Sequence, residues 1–150
     1  FGLVSTDPVN RNKMVEKRAK KMVSMIPELP RAISHGVETA DIGFIGVGMC
    51  YGVILEAMDL LAEKGIHAQY HQVRTLWPML DETPAFTARC KNIFVVEYNA
   101  TGQLAKLIIA HGGEESNISS ILRYDGIPMQ AKDLVSQVMT KLNLKEDEVA

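Results

Sequence analysis

Residues 45–57 read "IGVGMCYGVILEA", and the fold turns on them. The stretch opens as an apolar strand, passes Gly46 and Gly48, and meets Gly52 as an amphipathic run begins. Strand, glycine turn and helix make the first half of a βα unit, the geometry with which open α/β sheets cradle phosphates. A dinucleotide loop needs GxGxxG, but the spacing here, Gly46-x-Gly48-x-x-x-Gly52, is one residue longer. That fingerprint also wants an acid at the end of the second strand to hold the ribose hydroxyls. This chain has Gln72-Val73-Arg74 there, and the arginine would suit a 2′-phosphate, so NADPH stays open. No Lys-Ser/Thr follows the glycines, which excludes a P-loop. The mechanical reading is simpler. Gly46 and Gly48 let the chain reverse steeply, Gly52 lets the helix pack tightly, and the free first-turn amides attract an anion, a partner's carboxylate included. Cys50 beside this helix start is either a small turn filler or a thiol of lowered pKa.

Outward from this loop the rhythm is regular. A strand over 41–47 leads into a helix over 51–64. Its face of Ile54, Ala57, Met58 and Leu61 opposes Glu56, Asp59 and Glu63, and Gly65 ends it. Strands follow over 66–73, 92–98 and 117–124, and helices over 101–113 and 130–142. Alternation of this kind predicts an α/β fold, a three-layer α/β/α arrangement with a mainly parallel sheet of four to five strands. His67, Gln69 and His71 share one face of the second strand, which predicts a place at an edge or an interface. Residues 1–40 read as an N-terminal helix and linker from a preceding domain, 41–142 as the α/β domain, and 143–150 as a frayed tail. Asp7 or Thr6 caps the first helix, Pro8 opens it and Pro27 ends it. Along it Met14, Val15, Met22, Val23 and Ile26 form a stripe, and Arg11, Lys13, Lys17, Arg18, Lys20 and Lys21 crowd the remainder. That basic surface is read as a solvated face, with docking onto an acidic partner as the sharper alternative.

Composition removes several function classes. The 150 residues carry a net charge of −2, too little basic excess for a nucleic-acid binder. No apolar run approaches the ~20 residues of a membrane span. The first residues have no secretory pattern, and the chain starts at Phe1, which reads as a segment of something longer. Cys50 and Cys90, far apart and in no CxxC pair, suggest reduced thiols in a cytoplasmic protein, with no zinc or iron–sulfur site in the segment. His67 and His71 on one strand lie about 13 Å apart at ~3.3 Å per residue, too far for a shared metal. No GxSxG elbow, Ser-His-Asp set or response-regulator acidic cluster is legible.

Four stretches should meet beyond the carboxyl ends of the parallel strands, where such sheets carry their sites. They are "GVGMCYG", "VRTLWPML", "VVEYNATGQLAKLI" and "ILRYDGIP". In these the chain closely resembles the alpha subunit of 2-oxoacid:ferredoxin oxidoreductases, in its C-terminal, transketolase-C-terminal-like domain. That family looks like GxGSTYG after a strand, then RTLWP, VVExNxTGQL and YDGxP. The chain supplies Gly46, Gly48, Tyr51 and Gly52, then Arg74, Thr75, Trp77 and Pro78, then Glu97, Asn99, Thr101, Gly102 and Gln103, then Tyr124, Asp125, Gly126 and Pro128. The resemblance spans about residues 6 to 142. It departs at Met49-Cys50, where the family has Ser-Thr, and in the polar "HAQYH" strand.

The resemblance implies a complex that oxidatively decarboxylates a 2-oxoacid to its acyl-CoA and reduces ferredoxin. The RTLWP and TGQL pair points to the 2-oxoglutarate type. Thiamine diphosphate, Mg2+ and the iron–sulfur clusters would sit in other domains or subunits, with coenzyme A as co-substrate. No catalytic, cofactor-binding or metal-binding residue is expected in this segment. The motif residues would form a docking rim and fold-defining loops facing the beta subunit and the other domains of the alpha subunit, in an oligomer that meets ferredoxin as a whole. Glu97 would pair with Arg74, cap the helix near Thr101, or dock. Trp77 would be a hydrophobic plug, the favoured reading, or an interface anchor. The alternative of another class is a free-standing nucleotide- or coenzyme-A-binding module, with the basic first helix meeting phosphates.

Overall fold

The computed structural model describes residue 2 and residues 4–144. Phe1–Pro30 and Arg31–Ala150 form two separate units. In the first, α1 (Pro8–Ser24) begins at Asp7, whose carboxylate accepts the amides of Val9 and Asn10 at 3.1 Å each, and Pro8 occupies the first turn. None of its residues is buried.

In the second unit the core lies on the two faces of a five-stranded sheet, between it and the helices that cover it. The elements are β1 (Ile33–Gly36), β2 (Ile42–Val47), α2 (Cys50–Ala62), β3 (Ala68–Val73), α3 (Glu82–Thr87), β4 (Asn92–Glu97), α4 (Gln103–Ala110), β5 (Ile118–Leu122) and α5 (Ala131–Lys141). Strand order is β1-β3-β2-β4-β5. β3, β2, β4 and β5 run parallel and β1 antiparallel. Parallel strands need crossovers, and the intervening sequence supplies helices for them. One face packs Phe44, Tyr70, Phe94 and Ile121 under α2 and α5. The other packs Ile45, Ile93 and Val95 under α3 and α4. β2 and β4 are buried on both faces, which explains why they read as nearly continuous apolar runs. No helix among the described residues is long and apolar enough to cross a membrane.

Three expectations need correcting. First, residues 33–36, placed in the linker, form β1, held by pairing to β3 from Ile33↔Gln72 to Gly36↔Gln69. Four residues, three of them exposed, carry no hydrophobic alternation, so only tertiary pairing reveals them. Second, β3 is not an edge strand: it lies between β1 and β2, and the exposed His67 falls just before it. Gln69 and His71 are 4% exposed, and each finds a partner. Gln69 Nε2 donates to the Glu38 carbonyl at 2.9 Å, and His71 Nε2 lies 3.0 Å from Thr83 Oγ1 with its ring stacked on Phe86. A polar strand face can be buried when each group is hydrogen-bonded. The covering element is α3, a short helix with Pro84 in its first turn and no signature in the sequence. Third, the tight packing assigned to Gly52 belongs to Gly46. A Cβ on Gly46 would lie 2.8 Å from Ile54 Cδ1 and 2.9 Å from Cys50 Cβ, whereas one on exposed Gly52 would meet nothing within 4 Å. Gly48 makes the turn, with φ +59°. The frayed tail expected over 143–150 lies outside the described residues except Asn143 and Leu144, where the Leu144 amide donates to the Met139 carbonyl at 3.0 Å.

Candidate functional site

The four motif loops follow β2, β3, β4 and β5, so the parallel topology brings them to one edge of the sheet. The crossover after β2 leads toward β3 and the one after β4 toward β5. The switch point therefore lies between β2 and β4, where a ligand crevice is expected.

The structure fills that place from within. β4 ends on Glu97, 4% exposed, whose carboxylate accepts the amide of Leu104 at 2.7 Å and of Ala105 at 3.2 Å, and the Asn99 Nδ2 at 2.7 Å. Asn99 Oδ1 accepts the amides of Thr101 at 3.0 Å and Gly102 at 2.8 Å, with Gln103 at 3.4 Å. Gly102, at φ +63°, turns the chain into α4, and a Cβ there would press on Ser120 Oγ at 3.0 Å. The first-turn amides of α4, the natural anion site, are thus spoken for by the chain's own carboxylate and amide. A phosphate here would displace them or face a buried negative charge. Of the three readings of Glu97, the helix cap is the one observed. Arg74 is exposed and forms no ion pair with Glu97.

At the start of α2, Cys50 is 2% exposed and its thiol donates to the Val96 carbonyl at 3.2 Å. Burial pushes this thiol's pKa up, so it is a packed turn filler and not an activated nucleophile. Burial also raises Cys90.

Around this internally satisfied centre the edge is apolar and exposed. Tyr51 is 41%, Met49 66%, Tyr124 71% and Ile127 57% exposed. Met49, Tyr98, Tyr124, Ile127 and Pro128 line a shallow recess. Its β5 side is stiffened by Arg123, which donates to Asp125 at 2.9 Å and to Asp133 at 3.1 Å, and by the Ile127 amide on Asp125 at 3.0 Å. The Arg123 hydrogen bond holds the Asp125 carboxyl below its usual range. Gly126, at φ +82°, completes the turn. Trp77 is 61% exposed and its ring meets His111 edge-on at 5.4 Å. It is therefore not a plug, and the buried cluster on this side of the sheet, with Val73, Met79 and Phe86, is built without it. Sequence reasoning gave no role to Tyr98, Arg123 or Ile127, although all three fall inside the quoted stretches, and it marked Met49 only as a departure from the family pattern.

Parallel strands with one antiparallel edge strand, helices on both faces and the motif loops at one end place the chain in a fold class shared with transketolase-like proteins. A split-gene transketolase superposes at a TM-score of 0.62 over 77% of this chain and 42% of its own, at 20% identity, a likeness of fold alone. Within that class the chain is similar to alpha subunits of 2-oxoacid:ferredoxin oxidoreductases. It is 31% identical over 153 aligned residues, 99% of its length, to subunit alpha of 2-oxoacid:ferredoxin oxidoreductase 2 of Aeropyrum pernix. It is 30% identical over 94% of its length to the corresponding subunit of Saccharolobus solfataricus. A 2-oxoglutarate:ferredoxin oxidoreductase from Magnetococcus marinus, solved with 2-oxoglutarate, coenzyme A and succinyl-CoA bound, matches at 31% identity. The TM-score is 0.80 over 94% of this chain and 25% of that one. The chain spans about a quarter of the length of these relatives, 24% and 23% of the two archaeal subunits. No family model matches it.

Proposed function

We propose that this chain is the transketolase-C-terminal-like assembly segment of a 2-oxoacid:ferredoxin oxidoreductase alpha subunit. The complex would oxidatively decarboxylate a 2-oxoacid, 2-oxoglutarate by the motif pair, to the acyl-CoA and reduce ferredoxin. Similarity to such subunits along 99% of the chain supports the reading. The single observation that carries the assembly role is the capping of α4 by Glu97 and Asn99 at the switch point, with an exposed apolar rim around it.

The residues here do not fit thiamine diphosphate. The amides that would receive its phosphates already hold a carboxylate, and no group of three or more His, Cys, Asp or Glu side chains among the described residues is placed to hold a metal. Thiamine diphosphate, its magnesium ion and the iron–sulfur clusters belong, on this reading, to other domains and subunits. The rim faces the beta subunit and the rest of the alpha subunit, and ferredoxin meets the complex elsewhere. Two thiols kept reduced fit a cytoplasmic setting.

Co-purification tests this. Trp77→Ala and Tyr124→Ala, both at exposed positions, should weaken capture of the beta subunit roughly tenfold or more, as for interface anchors. The melting temperature of the chain should hold. Undiminished capture by both variants overturns the reading, as does turnover of a 2-oxoacid by the chain alone. A thermal shift on adding coenzyme A or NADPH would favour the free-standing binding module.

A further inference from the structure

β5 is the outermost strand and is hydrogen-bonded on one side only. The Arg123 amide donates to the Glu97 carbonyl at 2.9 Å, so it faces β4. Backbone groups alternate sides along a strand, so Ser119 and Ile121 also face β4, while Ile118, Ser120 and Leu122 turn theirs outward. The Ile118 amide is taken by the Glu115 carbonyl. The Ile118 carbonyl and the backbone groups of Ser120 and Leu122 have no strand partner among the described residues. The side chains of Ile118, Ser120 and Leu122 border a groove whose other wall is Gly102 and, on α4, Ala105, Lys106 and Ile109, with Glu115 also among its lining residues.

Sheet edges left open to solvent are normally guarded by lysine, proline, a bulge or extreme shortness. The segment Ile118–Leu122, "ISSIL", has no charge and no proline, and its register with β4 is unbroken. The opposite edge differs. β1 is a four-residue strand, "ISHG", that ends on Gly36 at φ +84°. One edge is blunted and the other is not.

We infer that β5 pairs antiparallel with β5 of a second copy about a two-fold axis through Ser120, joining two five-stranded sheets into one. The strand is complementary to itself in that register. Ile118 falls opposite Leu122 and Ser119 opposite Ile121 of the second copy. Each Ser120 amide meets the other Ser120 carbonyl, and each Leu122 amide meets the Ile118 carbonyl that local structure leaves free. An isologous contact of this kind closes as a dimer and does not propagate. The Ile118–Leu122 pairs then cover the groove beside α4 from both ends.

Sedimentation of the 150-residue chain at micromolar concentration should return twice the chain mass. Ser120→Pro removes only an outward amide, a change that edge strands tolerate. It should sediment as a monomer with an unchanged far-ultraviolet dichroism spectrum. If that variant does not fold, Ser120→Cys decides. Directly opposed, hydrogen-bonded residues have Cα atoms about 5.5 Å apart, within disulfide reach, and native Cys50 and Cys90 are buried. Mild oxidation should give a crosslinked dimer on a denaturing, non-reducing gel. The inference is overturned by a monomeric parent chain, by a folded Ser120→Pro chain that still dimerises, or by an oxidised Ser120→Cys chain without the crosslink.

Discussion

Glu97 does more for this fold than its single charge suggests. Two amides of α4 and the Asn99 side chain converge on its carboxylate in a site 4% exposed. Glutamine has the same shape, but its NH2 would turn one of these contacts into donor against donor, and it lacks the charge that favours a helix N-terminus. Glu97→Gln should therefore cost about 2 kcal/mol of stability, seen as a lower urea midpoint, with the loss centred on α4 in hydrogen exchange. His71 offers a second reading at this scale. Burial lowers its pKa from 6.5 to about 4, with Arg89 adding to the depression and Glu82 opposing it. Unfolded, the imidazole titrates near its ordinary value. As pH falls from 6.5 toward 4 the unfolded chain binds the proton first, and stability is lost across that window. Between neutrality and about pH 5 the loss attributable to His71 is at most about 2 kcal/mol. Urea titrations of His71→Gln should show a flatter profile over that interval, even if the variant starts lower.

At the scale of elements, the two glycines at the start of α2 make a direct comparison. Gly46 lies under the helix, so an added methyl group must push Ile54 and Cys50 aside. Gly46→Ala should destabilise by roughly 1–3 kcal/mol. Gly52 is exposed within the helix with open space around it, so Gly52→Ala should stabilise by up to about 1 kcal/mol. Thermal melts of the two variants should move in opposite directions. This pair also shows what could be read in advance. The glycine spacing announced a strand-to-helix turn, and α2, β4, α4 and α5 fall within a few residues of their expected places, because the helices carry a strong apolar period and β4 a nearly unbroken apolar run. Which glycine takes the close contact is a matter of three-dimensional register that spacing does not encode. β1 and α3 escaped for a related reason. Four residues of "ISHG" and six of "ETPAFT" have no period of their own, and they exist because β3 and His71 give them something to pair with and cover.

For the molecule as a whole, the parallel order of β3, β2, β4 and β5 places all four motif loops at one end. That convergence was legible from alternation alone, whereas the division of labour within it was not. Asn99 and Gly102 build the α4 cap with Glu97, and Gly126 closes a turn on Asp125. Tyr51, Trp77 and Tyr124 instead present rings to solvent. Sequence motifs mix these two kinds of residue, and only burial separates them.

The finished state of the α4 entry has a kinetic corollary. A loop that waits for its ligand must be frozen during the encounter, and that ordering slows productive collisions. Here Glu97 and Asn99 have already locked the turn from inside. On the assembly reading proposed above, a neighbouring subunit would meet a turn already formed, so its capture would be set by diffusion and orientation, and differences in residence time would fall to the projecting aromatic rings.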